Sequence, residues 1–200
     1  MDNPLGDKLG IPRSPLDGIL IKGVFGAADG PGVTVSEQRG GALLDLSVGT
    51  SVDEMRRIVA ARFSVALPIQ CGETTTGDDH RALWLGPGHW LIKTAPQPNL
   101  EHEWSEAAPD AAVNDVTHGR IVLRITGPRA RDTLSKGCPL DLHPSVFPAN
   151  ACAQSLLGKI GVVVDCQNPD DFEIIAGRAY ARSLWAWITG AAAEYGYKVE

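Results

Sequence analysis

Short β-branched runs that come in pairs, each closed by Gly or Pro before a helical period can develop, restrict this chain to a fold built on sheet hairpins. The stretch 117–164 shows the pattern best. Thr117-His118-Gly119-Arg120 opens it, and Ile121-Val122-Leu123-Arg124-Ile125 alternates as a strand. A short helix after Gly127-Pro128 is then held between this strand and two further β-branched runs, 151–157 and 160–164. Gly127 can leave the strand with an unusual backbone angle, Pro128 presets the first helical turn, and Gly137 fits a left-handed helix stop.

The rest of the chain follows the same grammar. Residues 1–32 carry Pro4, Pro12, Pro15 and Pro31 with one apolar island, Ile19-Leu20-Ile21, and are expected to form an extended arm without regular structure. Either the arm is a loose terminus or it lies along a partner and docks Ile19, Leu20 and Ile21. Strands are expected at Val33-Thr34-Val35-Ser36 and over 42–48. Ser51-Val52-Asp53-Glu54 matches a capping box that starts a helix burying Met55, Val59 and Phe63. Ala82-Leu83-Trp84-Leu85 and His89-Trp90-Leu91-Ile92-Lys93 form a hairpin around Gly86-Pro87-Gly88. Leu100, Trp104 and Ala107 mark a short helix rich in Glu. Phe172-Glu173-Ile174-Ile175 follows a turn at 168–171, and a long helix spans about 179–195 before Gly196. On that helix Tyr180, Leu184, Trp187, Ile188, Ala191 and Tyr195 share one side. Trp185 lies at its margin, which makes it an expected subunit contact.

Strand pairs punctuated by single helices, without strict β-α alternation, give an α+β fold with mostly antiparallel sheets and packed helices. Residues 33–200 are expected to form one domain whose halves, 33–110 and 111–200, echo each other without a residue-level repeat. At 44% hydrophobic residues the chain can bury a core. Its formal charge of -6 gives no electrostatic footprint for nucleic acid or an anionic membrane surface. Four scattered cysteines without Cys-x-x-Cys, and no basic region joined to an apolar leader, point to reduced thiols in the cytoplasm. No apolar run reaches the roughly 20 residues that a membrane helix requires.

A search for chemistry returns little. His80, His89, His102, His118 and His143 have neither His-Glu-x-x-His spacing nor the Cys and His doublets of a zinc site, so no metal is expected on this chain. Cys138, Asp141 and His143 are types that a nucleophilic site uses, but neighbours in sequence are not a triad, and a free Cys is usually a small buried apolar group. Gly86 and Gly88 lead into a strand, whereas a dinucleotide loop leads into a helix. Asp78-Asp79 and Asp170-Asp171 are turn carboxylates. His118 and Arg120, where the backbone turns at a strand end, are the positions to inspect for a site; their ordinary role is a salt bridge or hydrogen bond securing that turn. Arg129 and Arg131 read as solvated or interface charges.

Several segments together resemble a known family: Trp84-Leu85-Gly86-Pro87-Gly88-His89-Trp90-Leu91, Asp115-Val116-Thr117-His118-Gly119-Arg120, Leu123-Arg124-Ile125-Thr126-Gly127-Pro128-Arg129, Lys136-Gly137-Cys138-Pro139-Leu140-Asp141-Leu142-His143-Pro144 and Phe147-Pro148. In this order they are similar to the gamma subunit of bacterial heterotetrameric sarcosine oxidase, over about 80–196. The resemblance implies a fold like the folate-binding domain of glycine-cleavage aminomethyltransferase and a non-catalytic subunit. Its partners would be alpha, beta and delta subunits, with alpha contacted directly. FAD, FMN, NAD, tetrahydrofolate and zinc would sit on those other subunits and none on this chain. The holoenzyme would convert sarcosine to glycine with formaldehyde or 5,10-methylene-tetrahydrofolate and hydrogen peroxide. The alternatives are a stand-alone tetrahydrofolate-binding protein, of the aminomethyltransferase or iron-sulfur-assembly type, and the equivalent subunit of another N-methyl amino acid oxidoreductase. Lys136-Gly137-Cys138 fits the iron-sulfur-assembly type, but Pro139-Leu140-Asp141 stands where its Gly-Gln-Glu should follow.

Overall fold

A computed structural model describes residues 13–26, 30–49, 51–96 and 98–200. Twelve strands are found among them: β1 (Gly23–Phe25), β2 (Val33–Glu37), β3 (Ala42–Val48), β4 (Thr74–Thr76), β5 (His80–Gly86), β6 (His89–Thr94), β7 (Ala111–Asp115), β8 (Arg120–Thr126), β9 (Cys152–Leu157), β10 (Ile160–Asn168), β11 (Asp171–Gly177) and β12 (Tyr197–Val199). The helices are α1 (Val52–Phe63), α2 (Leu100–Ala107), α3 (Ala130–Ser135) and α4 (Ala181–Ala192). Single 3-10 turns cover Thr117–Gly119, Arg178–Tyr180 and Ala193–Tyr195.

The strands divide into a seven-stranded sheet, in the order β1-β12-β2-β8-β11-β10-β9, and a five-stranded sheet, β4-β5-β6-β3-β7. Only β12 and β2 run parallel; the other pairs are antiparallel, as hairpin-dominated sequence requires. Alternation along each strand sends one set of side chains to each face. On the large sheet Val35, Leu123, Ile125, Phe172 and Ile174 pack against Leu134 of α3 and Leu184 and Ile188 of α4. On the small sheet Leu44, Leu46, Trp90 and Ile92 pack against Met55, Val59, Phe63 and Trp104 of α1 and α2. The remaining faces meet through Leu43, Leu83, Leu91, Cys152 and Ile175, giving four layers, helices-sheet-sheet-helices. The two sequence halves exchange strands, since β2 sits in the large sheet and β7 in the small one. Among the described residues no helix is long and apolar enough to cross a membrane.

Several local expectations are corrected. The part of the arm that is described is not irregular: Leu16 is fully buried in the large core, Ile19 and Leu20 pack against it, and Gly23–Phe25 pairs with β12. Residues 1–12 and 27–29 lie outside the described set. Ser51 starts α1 in a left-handed conformation without any side-chain cap, so the capping box does not form. Gly127 does turn with φ +113°, but Gly137 does not adopt a left-handed stop. A Cβ on Gly137 would lie 2.3 Å from the Trp187 ring, so close packing demands glycine there. The buried side of α4 is Ala181, Leu184, Trp185, Ile188 and Ala192. Trp185, expected at the margin as a subunit contact, is therefore core, and Trp187 is the half-buried one. Tyr180, placed on the inner side from sequence, is 55% exposed.

Candidate functional site

Two connections, β2 to β3 and β7 to β8, cross from one sheet to the other at the same end of the molecule. Between them opens a cleft of about 730 Å³, within the roughly 300–1,000 Å³ typical of binding sites. Its inner wall is apolar, made by Ala42, Leu43, Ile121 and Val122. Thr117 fixes the second connection: its amide donates to Asp115 Oδ1 at 2.8 Å, and its Oγ1 accepts from the Leu43 amide at 2.9 Å.

The floor is ionic. Lys93 of β6 and Glu173 of β11 face each other across the sheets as an ion pair, and Lys93 Nζ also stands 3.4 Å from Asp165 Oδ2. Behind them the Arg81 guanidinium grips the fully buried Asp165 carboxylate, with Nε at 3.2 and 3.0 Å from its two oxygens and Nη2 at 2.6 Å. Arg81 Nη1 donates to Thr76 Oγ1 at 2.8 Å and Asn150 Oδ1 at 3.0 Å, and Gln167 donates to Asp165. Burial opposes the charge on Arg81, but the hydrogen bonds and negative charge of Asp165 outweigh it and raise its pKa above the ordinary guanidinium value. A buried ion pair fully supplied with hydrogen bonds is the form in which charge survives between two sheets.

The rim carries the two positions singled out from sequence. His118 and Arg120 are exposed at the cleft mouth, and neither forms a salt bridge among the described residues. The turn is secured by Asp115 and Thr117, so the ordinary structural role expected of His118 and Arg120 falls to those neighbours. Arg13 of the arm and Arg178 share the rim. The arm is stitched there by Ser14 Oγ donating to Glu37, by Arg39 donating to Asp17 at 2.9 Å and by Arg178 donating to the Arg13 carbonyl.

Elsewhere the chemistry-bearing residues do not converge. Cys138 is buried with its Sγ 3.7 Å from Ser155 Oγ, while His143 is exposed and shares a hydrogen bond with Ser145; no Cys-His contact exists among the described residues. Burial pushes the Cys152 thiol up to about 12 and also raises that of Cys166. Arg131, expected as a solvated or interface charge, is a staple: it donates to the carbonyls of Pro169 at 2.6 Å, Phe147 at 3.0 Å and Leu142, and lies over the Phe172 ring. Arg129 pairs with Asp132 at the surface. Gly88 has φ +67°, and a Cβ there would meet the Val48 carbonyl at 2.6 Å, which together explain the hairpin glycine without a ligand. Among the described residues no group of three or more His, Cys, Asp or Glu is placed to hold a metal ion.

The Arg81, Lys93, Asp165 and Glu173 network was not anticipated from sequence. A signal existed: Asp165 interrupts an otherwise apolar strand at an inward position, and an ion there requires a partner.

The model of the family described as "Sarcosine oxidase, gamma subunit family" matches residues 48–194. The sarcosine oxidase subunit gamma of Corynebacterium sp. (strain U-96) is 30% identical over 140 residues, covering 68% of each chain. That of an Arthrobacter species is 29% identical over 140 residues, covering 68% of this chain and 69% of its own. Among solved structures, a chain of the heterotetrameric sarcosine oxidase from Corynebacterium sp. U-96, in complex with pyrrole 2-carboxylate, superposes with a TM-score of 0.82 at 27% identity, over 92% of this chain and 96% of that one. Aminomethyltransferase T of the glycine cleavage system from Bartonella henselae shares the fold, with a TM-score of 0.59 at 13% identity over 84% of this chain and 48% of that one. The match spans most of the sequence and includes both sheets and the cleft between them: this chain belongs to the sarcosine oxidase gamma subunit family.

Proposed function

We propose that the chain serves as a non-catalytic gamma subunit of a cytoplasmic heterotetrameric sarcosine oxidase, supplying shape and contact surface while its companions perform the redox steps. The observation that carries this is the end-to-end correspondence, 92% of this chain and 96% of the other, with a chain of such a heterotetramer. The complex would demethylate sarcosine oxidatively to glycine, yielding formaldehyde or 5,10-methylene-tetrahydrofolate and hydrogen peroxide. FAD, FMN, NAD, tetrahydrofolate and zinc would be held by the other subunits, with alpha the direct neighbour of this chain.

The side chains agree with a non-catalytic role. Burial keeps the Cys152 and Cys166 thiols protonated, and a thiol is nucleophilic only as thiolate. Of the cleft's carboxylates Glu173 is engaged by Lys93, Glu37 by Arg39 and Asp115 by the Thr117 amide, which leaves only Glu101, exposed at the edge, free to grip a pterin. Open apolar surface lies instead on the arm, where Ile21 is 66% and Val24 62% exposed next to the edge strand β1. Of the apolar island Ile19-Leu20-Ile21, only Ile21 has much surface left for a partner. Trp185, buried in the core, has little to offer.

Co-expression with the candidate alpha, beta and delta chains tests the proposal. The complete set should consume oxygen with sarcosine, the isolated chain should not, and omitting it should lower the yield of assembled complex. Turnover of sarcosine by this chain alone, or an unchanged complex without it, would defeat the proposal.

A further inference from the structure

We propose that the cleft between the sheets seats an acidic segment of a companion subunit. The inference rests on the subunit reading above and adds the surface and the chemistry of the contact. Its basis is a local inversion of charge on a chain whose formal charge is -6.

The inversion is built by register. Gly177 of β11 lies opposite Arg120 of β8, so Arg178 begins its 3-10 turn beside Arg120. The turn Thr117–Gly119 packs against that second turn and adds His118 to the same rim. The arm brings Arg13, whose carbonyl accepts from Arg178. Among the described residues Arg13, His118, Arg120 and Arg178 have no carboxylate within ion-pair distance, whereas Arg39 and Lys93 on the same cleft are both paired. The carboxylates left without a cation are Glu101 and Asp115, and Asp115 already accepts from the Thr117 amide.

The position of these charges identifies the occupant. A small-molecule site draws a few polar groups into an enclosed apolar interior. Here the polar groups of the floor, Lys93 and Glu173, are spent on each other beside an apolar wall, and the unpaired cations stand outside it, Arg13, His118 and Arg120 all exposed to water. An apolar centre ringed by a charged rim is the anatomy of a protein-protein contact. Guanidinium forks match carboxylates in two-pronged pairs, so the fitting partner is a chain segment with an apolar side chain flanked by Asp or Glu.

Calorimetric titration of the full chain with an octapeptide of alternating leucine and glutamate, against one of alternating leucine and lysine, tests this. The acidic peptide should bind saturably and weaken with added salt, and the combined variant Arg120→Glu, Arg178→Glu should lower its affinity by about tenfold or more. Arg120→Lys with Arg178→Lys should keep most of the binding. Arg120 makes no side-chain bond among the described residues, so thermal unfolding of Arg120→Glu alone should match the parent and its peptide affinity should still fall, whereas Arg178→Glu also releases the Arg13 carbonyl. Equal binding of the two peptides, no loss on charge reversal, or equally tight saturation by free glutamate would overturn the proposal. The same reversal in the co-expressed complex separates the two readings. Failure of the parent chain to join any companion defeats the subunit reading while the peptide result still decides the cleft. Normal assembly with no effect of reversal on peptide or complex defeats the cleft proposal alone.

Discussion

The Asp165 carboxylate on β10 lies 2.6 Å from the Arg81 guanidinium on β5, so an ion pair removed from water bridges the two sheets, beside the Lys93–Glu173 pair. Breaking it from one side strands a buried charge. Asp165→Ala should destabilise the protein by about 3–5 kcal/mol, because Arg81 keeps its charge and loses its partner. Exchanging both residues for apolar ones, Arg81→Met with Asp165→Leu, should recover most of that loss. Chemical denaturation of the three variants measures it, and a double variant no better than the single one would contradict the account.

Trp187 occupies space that two glycines vacate. A Cβ on Gly137 would stand 2.3 Å from its ring, and one on Gly158 2.4 Å. Gly137→Ala should cost about 1–3 kcal/mol by overpacking. Gly158→Ala should cost more, since its φ of +54° also disfavours a side chain. Trp187→Leu in either background should relieve the clash. If it does not, the glycines serve some purpose other than the fit.

The four helices and most strands were legible in the sequence because their signals are local. Period-two runs at 42–48 and 120–126 and helical spacing at Met55, Val59 and Phe63 depend on neighbours only a few residues away. What sequence could not give were choices made by distant packing. Gly137 looks like a helix stop until Trp187, fifty positions later, needs the space. The wheel of α4 was rotated by about one residue, which moved Trp185 from margin to core, because apolar residues such as Trp187 and Ala191 also flank its buried side. Strands β1 and β12, three residues each, carry too few residues for a pattern and exist by pairing, β12 with β2 and β1 with β12. In the cleft, His118 and Arg120 were visible as a polar strand end, but the floor depends on side chains 72 and 80 positions apart in sequence.

His80 should make the small-sheet layer sensitive to acid. Its ring packs edge-on against Phe63 and Trp104, its Nδ1 has no partner among the described residues, and burial pushes its pKa below the ordinary 6.5 despite the nearby charges of Asp79 and Glu103. In the unfolded chain the imidazole takes a proton as the pH falls through 6.5, while the folded chain resists until lower pH. The contribution is thus intact above pH 6.5 and is lost progressively below it. Stability curves for the parent and His80→Phe should diverge in slope between about pH 7 and about pH 5, with the variant flatter. Parallel curves would rule out His80 as the source.

Thiol accessibility follows directly from burial. Cys71 is exposed and Cys138, Cys152 and Cys166 are buried, with Cys152 pushed up to about 12 first by burial and then by the charge of Asp165. Ellman's reagent at mildly alkaline pH should therefore titrate one thiol quickly in the native protein and four after denaturation. Rapid labelling of Cys138 would mean that its strand-side pocket opens and would reopen a chemical role for it.

The arm should behave as part of the fold. Leu16 is fully buried against the large-sheet core, and Arg182 donates to the Pro15 carbonyl at 3.3 Å, so main chain and side chain both anchor this segment. Leu16→Ala should cost about 2–4 kcal/mol through lost transfer energy and the cavity left behind. Ile21→Ser, on a side chain 66% exposed, should leave stability nearly unchanged while weakening association with companion subunits. The two effects therefore separate along the six residues Leu16 to Ile21 of one segment, the inner end tested by denaturation and the outer end by the yield of co-purified complex. If Ile21→Ser unfolds the chain, or Leu16→Ala leaves it as stable as before, the division between anchoring and contact surface is misplaced.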